Sequence, residues 1–290
     1  MYKLRSWIDI DRLEWFRLSK NPLAINLLEK NKNKINFTNL SKNLNAIHIL
    51  GKNQKKINWK FISNNPNAVH LLKKNLDKVN WGELSSNPNA VHILEKNPDK
   101  INWSELSTNQ NAIHLLEKNL DKVDWDNLSE NPNAIHILEK NMNKVNFSSL
   151  SCNENAIDIL EKNINKVDWF YLSYNPCAIS ILEKNLDKIN FERLSLNPNA
   201  IHILEKNLDK INWDSLLKNP NAIKILQKNQ DKIRWFNISE NPSIFELDFD
   251  ALKKRCSIYK EELIQKAMHP SRIQKYLDAG YDICELDNFI

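Results

Sequence analysis

Glycine is almost missing from this sequence: Gly51, Gly82 and Gly280 are the three in 290 residues. They stand far apart, so neither GxxxxGK[ST] nor GxGxxG can be written, and glycine-rich phosphate loops are excluded. Cysteine is also sparse. Cys152, Cys177, Cys256 and Cys284 form no CxxC pair and no zinc framework, which in a chain of this length predicts reduced thiols and an intracellular setting. No window approaches 18 consecutive apolar residues, and the first residues lack the apolar run of a secretory leader. The chain is therefore expected to be neither membrane-spanning nor secreted. No GxSxG, HExxH or paired-carboxylate signature appears. Apolar residues make up 41%, little for one deep core but adequate for a thin, elongated one.

What the sequence has in excess is asparagine, 45 residues, and apolar residues alternate with it throughout, unlike a disordered composition. Aromatics fall at Trp15, Phe37, Trp59, Trp81, Trp103, Trp125, Phe147, Trp169, Phe191, Trp213 and Trp235, every step 22 residues. Ten full periods cover 15–234, and an eleventh begins at Trp235. Counting offsets from zero at the aromatic, the consensus is W-x-x-L-S-x-N-P-N-A-I-H-I-L-E-K-N-x-D-K-I-N. Offset 6 is Asn in all eleven copies; offset 16 is Asn and offset 19 Lys in all ten full ones. Internal repeats of this kind mark stacked architectures.

Each period predicts two short helices. The first, W-x-x-L-S, follows an N-capping Asn or Asp at offset 21, with an apolar residue before the cap at staple distance from Leu at offset 3. The second has Asn at offset 6 as its cap and Pro at offset 7 as its first residue. It is expected to stop at Asn of offset 16 in a left-handed conformation. Offsets 9, 10, 12 and 13 share one apolar face that only neighbouring copies can bury. The predicted fold is an all-α solenoid of ten to eleven two-helix repeats, a rod or superhelix ~90 Å long at ~8–10 Å per unit. Residues 1–14, with Trp7, Ile8, Ile10 and Leu13 out of frame, form an N-terminal cap; 15–242 hold the repeats; 243–290 form a helical C-terminal cap that seals the last one.

Three columns invite functional readings. His48, His70, His92, His114 and His136 occupy offset 11 of five consecutive repeats, and His202 follows. They point away from the core, either as a solvated polar row or as a recognition ladder. Repeats ~8–10 Å apart cannot bring successive imidazoles to the ~2 Å that one metal ion requires, so no metal or cofactor is expected. The aromatic column, replaced only by Phe, predicts core filling rather than stacking platforms. Charge is uneven. Residues 30–78 carry eleven lysines against one acid, Asp77, and the remainder from 79 onward is net acidic. Lys32, Lys34, Lys52, Lys55, Lys56, Lys60, Lys73 and Lys74 form a candidate basic patch. It is either solvated lysine on an Asn/Lys-rich surface, or a site that suits an acidic protein partner or head-to-tail self-association with the acidic later repeats. Sequence-independent phosphate contacts with nucleic acid are a third use, disfavoured by the dominance of lysine over arginine. Ser, His and Asp recur as repeat copies, whereas a catalytic site needs a singular arrangement, so no catalytic residue is assigned.

Units such as Leu84-Ser-Ser-Asn-Pro-Asn-Ala-Val-His-Ile-Leu-Glu-Lys-Asn-Pro-Asp-Lys-Ile-Asn-Trp103, with the ending Met268-His-Pro-Ser-Arg-Ile-Gln-Lys-Tyr-Leu-Asp-Ala-Gly-Tyr-Asp282, resemble the short tandem-repeat proteins of mimivirus-like giant DNA viruses. The resemblance covers roughly 15–282. Leu44, Gln110 and Glu154 in place of Pro, Leu217 in place of Ser and Gly51 in place of Glu depart from the pattern without breaking the frame. It implies a viral protein of uncharacterised role, working in host cytoplasm or packaged in the virion. Residues and resemblance together predict a non-enzymatic scaffold that binds a host or viral protein, with a virion structural component or a nucleic-acid binder as alternatives.

Overall fold

The computed structural model describes residues 2–280; of the expected C-terminal cap, residues 281–290 lie outside the described residues. Two compact units are present: Leu4–Phe245 and, of the described residues, 2–3 with 246–280.

The first unit is the predicted all-α repeat solenoid. Each of the ten full repeats has its two short α-helices, as in Trp125–Glu130 and Ile135–Lys140, followed in eight of them by a 3-10 turn such as Met142–Lys144. Asn or Asp at offset 21 caps the first helix as expected: Asn36 Oδ1 accepts from the Asn39 N–H, and Asp124 Oδ1 from the Asn127 N–H. The apolar residues at offsets 3, 9 and 13 are fully buried in the ten full repeats, each large one worth about 1.5–3 kcal/mol of burial.

Two polar ladders tie the copies together. The offset-6 carboxamide is buried in all eleven. Its Oδ1 accepts from the N–H two residues on, at 2.8–3.0 Å. Its Nδ2 donates to two carbonyls of the preceding repeat, at offsets 4 and 6, at 2.8–3.4 Å. The buried Ser at offset 4 donates to the carbonyl of its own aromatic and accepts the N–H of offset 21, as when Ser107 Oγ bonds Trp103 O at 2.8 Å and Asp124 N at 3.1 Å. Asn at offset 8 adds an exposed rung, Nδ2 to the offset-7 carbonyl of the preceding repeat, as from Asn111 to Pro88.

The offset-16 stop works differently from the expectation. Among the described residues Gly280 alone has positive φ; Asn31 sits at φ −127° and ψ 52°. Its side chain instead donates to the carbonyl four residues back, Asn31 Nδ2 to Leu27 O at 2.9 Å, and the other nine full repeats do the same. The carboxamide stands in for the next helical N–H, which satisfies one of the orphan carbonyls at the helix end while the backbone turns into the 3-10 segment.

The rod expectation is overturned: the solenoid closes on itself. Asn21 of the first repeat donates to Ser239 O and Asn241 O of the eleventh, the ladder bond made at every other junction. Ser239 Oγ accepts from the Glu14 N–H at 2.9 Å, so Glu14 stands at offset 21 of the eleventh repeat. Residues 4–14 are therefore in frame, as the second half of a repeat whose first half is 235–245. Ile10–Arg12 form its 3-10 turn, Leu13 fills the buried staple position, and Arg12 lies 4.3 Å over the Trp235 ring, where other repeats place a lysine. The Arg5 N–H donates to Ile244 O at 3.0 Å and splices the halves. Trp7 packs edge-on to Trp235 at 6.5 Å, and Arg17 and Lys20 pair with Glu240 at 2.9 and 3.3 Å. Leu4–Phe245 is thus eleven units of 22 residues.

Curvature has a local cause. First helices of neighbouring repeats approach backbone closely, with Asn39 Nδ2 on Phe16 O and Asn127 Nδ2 on Ser104 O, whereas second helices are bridged by long side chains. Unequal edges bend the stack toward the shorter one. At ~8–10 Å per repeat, eleven give a ring roughly 30 Å across at the helix axes. The eleventh repeat is sealed by 5–14 and by repeat 1, a role assigned from sequence to 243–290. In the second unit, Asp248 caps helix Phe249–Ala267, and helix Pro270–Asp278 starts with proline and is followed by Gly280 at φ 90°.

Asn109→Ala removes the partner of two buried carbonyls, and leaving such groups unmade costs about 1–3 kcal/mol each. A loss of about 2–5 kcal/mol is expected in urea unfolding, against less than ~1 for exposed Asn111→Ala. Deleting residues 1–13 is expected to speed amide exchange in 235–244 by at least tenfold while repeats 4–7 stay protected; uniform protection would contradict the split repeat.

Candidate interaction surface

The histidine column is a set of inter-repeat bridges. His48, His114, His136 and His202 place Nε2 at 2.7–2.9 Å from Glu29, Glu95, Glu117 and Glu183, the offset-14 residues of the preceding repeats. Each pair is about half exposed, so each contributes roughly 0–1 kcal/mol. His70 and His92 make no such bridge, because the residues at that preceding position are Gly51 and Lys73. His92 Nε2 is buried without a partner. Among the described residues no group of three or more His, Cys, Asp and Glu could hold a metal, and no helix is long and apolar enough to cross a membrane.

The aromatic column is half-buried rather than interior, except for Trp235 at the closure, which is 9% exposed. Its rings pack on the core and take a cation on the other face. The offset-19 lysine of the same repeat lies 4.6–5.3 Å from the ring centroid in eight repeats, Lys34 over Trp15 and Lys56 over Phe37 among them. Lys100 and Lys232 lie against Asp99 and Asp231 instead. The constancy of this lysine thus has a structural cause, a cation–π contact worth about 0.5–1 kcal/mol where exposed.

Of the candidate basic patch, the structure brings Lys32, Lys52 and Lys56 to one groove of about 380 Å³ with Glu29, Ile35, Phe37 and His48. Lys52, Lys55 and Lys56 line an adjoining hollow with Gly51 and Gln54. Lys73 and Lys74 follow on the second-helix side of the next repeat. Lys34 is engaged with Trp15, and Lys60 lies apart, on the first helix Trp59–Ser63. The acids that accompany these lysines elsewhere are replaced here: offset 14 is Gly51 then Lys73, and offset 18 is Asn33 then Lys55.

Side chains without a sequence assignment emerge on the first helices. Phe16, Phe170, Tyr171, Tyr174 and Phe236 are exposed, all at offsets 1, 2 and 5. Arg17 lies 3.9 Å over Phe236 and Arg193 4.1 Å over Phe170. The available signal was variability: these offsets differ from copy to copy while the ladder positions hold. Burial pushes the neighbouring Cys152 thiol up to about 11, with Glu130 adding to the rise, Arg193 opposing it and Asp168 adding a little more, so at neutral pH it is a protonated, weakly nucleophilic thiol.

No family model matches the chain, and neither the curated proteins nor the solved structures contain a match.

Gly51→Glu meets open space and supplies the acid facing His70. Replacing Gly within a helix contributes about 0.5–1 kcal/mol, so a gain of that size is expected in urea unfolding, together with a shift of the His70 imidazole resonances; an unmoved His70 signal would refute the bridge.

Proposed function

We propose that the chain is a non-enzymatic interaction scaffold whose basic early repeats receive an acidic segment of a protein partner. The observation that carries this reading is the thinning of acids around the Lys32–Lys52–Lys56 groove, where offset 14 becomes Gly51, offset 18 becomes Asn33 and then Lys55, and the one acid lining the groove, Glu29, pairs with His48. In most later repeats Glu at 14 or Asp at 18 balances the lysines; here Lys32, Lys52 and Lys55 make no ion pair among the described residues, beside apolar Ile35 and the Phe37 ring that Lys56 covers on one side. Carboxylates suit lysine point charges, and like-charge repulsion discriminates against basic partners. The repeated Ser, Asn and four of the His side chains are engaged in holding repeats together, which supports a structural rather than chemical use of them. On the strength of the repeat resemblance alone, the setting we propose is a giant-virus protein acting in host cytoplasm or in the virion.

The test is titration of the intact chain with poly-L-glutamate and, separately, with the oligonucleotide dT20. Poly-L-glutamate is expected to bind at least tenfold more tightly. Replacing Lys52, Lys55, Lys56 and Lys73 by Glu should abolish that binding without altering unfolding cooperativity, while Lys60→Glu, on the other helix, should change it less than threefold. Preference for dT20, or indifference to the fourfold reversal, would sink the reading.

A further inference from the structure

We propose that Arg193, with Phe170, Tyr171 and Tyr174, forms a second docking point, one that takes a carboxylate from an acidic protein segment. It rests on the acidic partner of the preceding reading but uses a different arc of the ring.

The structure holds this constellation twice. At the closure, Arg17 (offset 2) stacks on Phe236 (offset 1 of the preceding repeat) at 3.9 Å, and its Nη1 donates to Glu240, at offset 5 of that same preceding repeat, at 2.9 Å. In repeats 8 and 9, Arg193 stacks on Phe170 at 4.1 Å with the same offsets. Both arginines bury an unpartnered Nε, the mark of a shared pose. The difference is at offset 5, where Tyr174 stands in the place of Glu240. Arg193 makes no ion pair among the described residues. The nearby Asp168 carboxylate already accepts from Ser148 Oγ and from the Phe170 and Tyr171 N–H groups.

A guanidinium laid flat on a ring is preorganised and weakly hydrated, and its remaining donors match a carboxylate fork. Beside it Phe170 and Tyr171 meet edge to face at 5.2 Å. They and Tyr174 are 37%, 38% and 47% exposed, enough aromatic surface to cover the apolar neighbours of a bound acid. The Glu240 pair shows which chemical group this geometry accepts.

The probe is acetyl-Glu-Glu-Glu-amide, with the Gln analogue and dT6 as comparisons, added to the full chain labelled with 15N-arginine. The Arg193 Nε–Hε signal, assigned by its loss in Arg193→Gln, is expected to shift saturably with the Glu peptide and not with the Gln peptide. The Arg17 signal, already matched by Glu240, should stay put. Tyr174→Glu is expected to supply the missing acid internally, moving the free-state signal toward that of Arg17 and abolishing the response. Equal response to the Gln peptide, an undiminished response in Tyr174→Glu, or a larger response to dT6 would each overturn the assignment. Because the lysine groove is untouched in these variants, failure here is distinct from failure of poly-L-glutamate binding there.

Discussion

Everything in this solenoid depends on one carboxamide. The offset-6 asparagine offers one acceptor and two donors, and all three meet backbone: the acceptor its own turn, the donors two carbonyls of the previous repeat. Asparagine matches this task in length; glutamine would place the amide a methylene too far, and aspartate has no donors. Because the group is buried, a half-made rung costs more than it contributes, so the spacing between rungs must hold. A chain of 22-residue periods without one insertion is what such a constraint leaves behind. Helices of four to six residues, too short to persist alone, survive because the ladder and the stacked leucines fix both of their ends.

The same constraint divides the repeat into fixed and free positions. Offsets 3, 4, 6, 9, 13, 16 and 19 each have a mechanical duty, either burial, a ladder bond, a helix stop or a cation over the aromatic. Offsets 1, 2, 5, 14, 17 and 18 have none that every repeat shares, and their variation is where this chain becomes individual: the lysines of repeats 1–3, the aromatic cluster of repeats 8 and 9. Local specialisation on an unchanging frame is how repeat proteins turn architecture into recognition.

Period, first-helix caps and the apolar face could be read from the residues, because each depends on contacts within one period or between identical copies. The second helix, expected to start at Pro of offset 7 under an Asn cap, begins instead at offset 10 behind Ala without a side-chain cap, and the offset-6 Asn caps the turn before it. Ring closure could not, since it joins residues more than two hundred apart and depends on a small bend at every junction. Its clue was present: Asp11-Arg12-Leu13-Glu14-Trp15 is a conservative rewriting of Asp99-Lys100-Ile101-Asn102-Trp103, hidden because Glu replaces the capping residue. The offset-16 stop was placed correctly, but a backbone conformation was expected where a side chain does the work. For the candidate surface, the lysine excess was visible as charge. The His–Glu bridges were not, because the partners are 19 residues apart and meet only across a junction. Arg193 could not be singled out until its equivalent beside Glu240 was seen.

The split eleventh repeat has a consequence for how this chain can change. An open solenoid lengthens freely by duplication, each new copy simply extending the stack. A closed one cannot: a twelfth repeat would require every junction to bend slightly less, and a lost one would require every junction to bend more. The number of repeats is therefore a property of the whole circle, and divergence is channelled into substitution within repeats rather than gain or loss of them. Closure also leaves no terminal repeat with a bare apolar face, so the usual pair of dedicated caps is replaced by segments 4–14 and 235–245 completing one another.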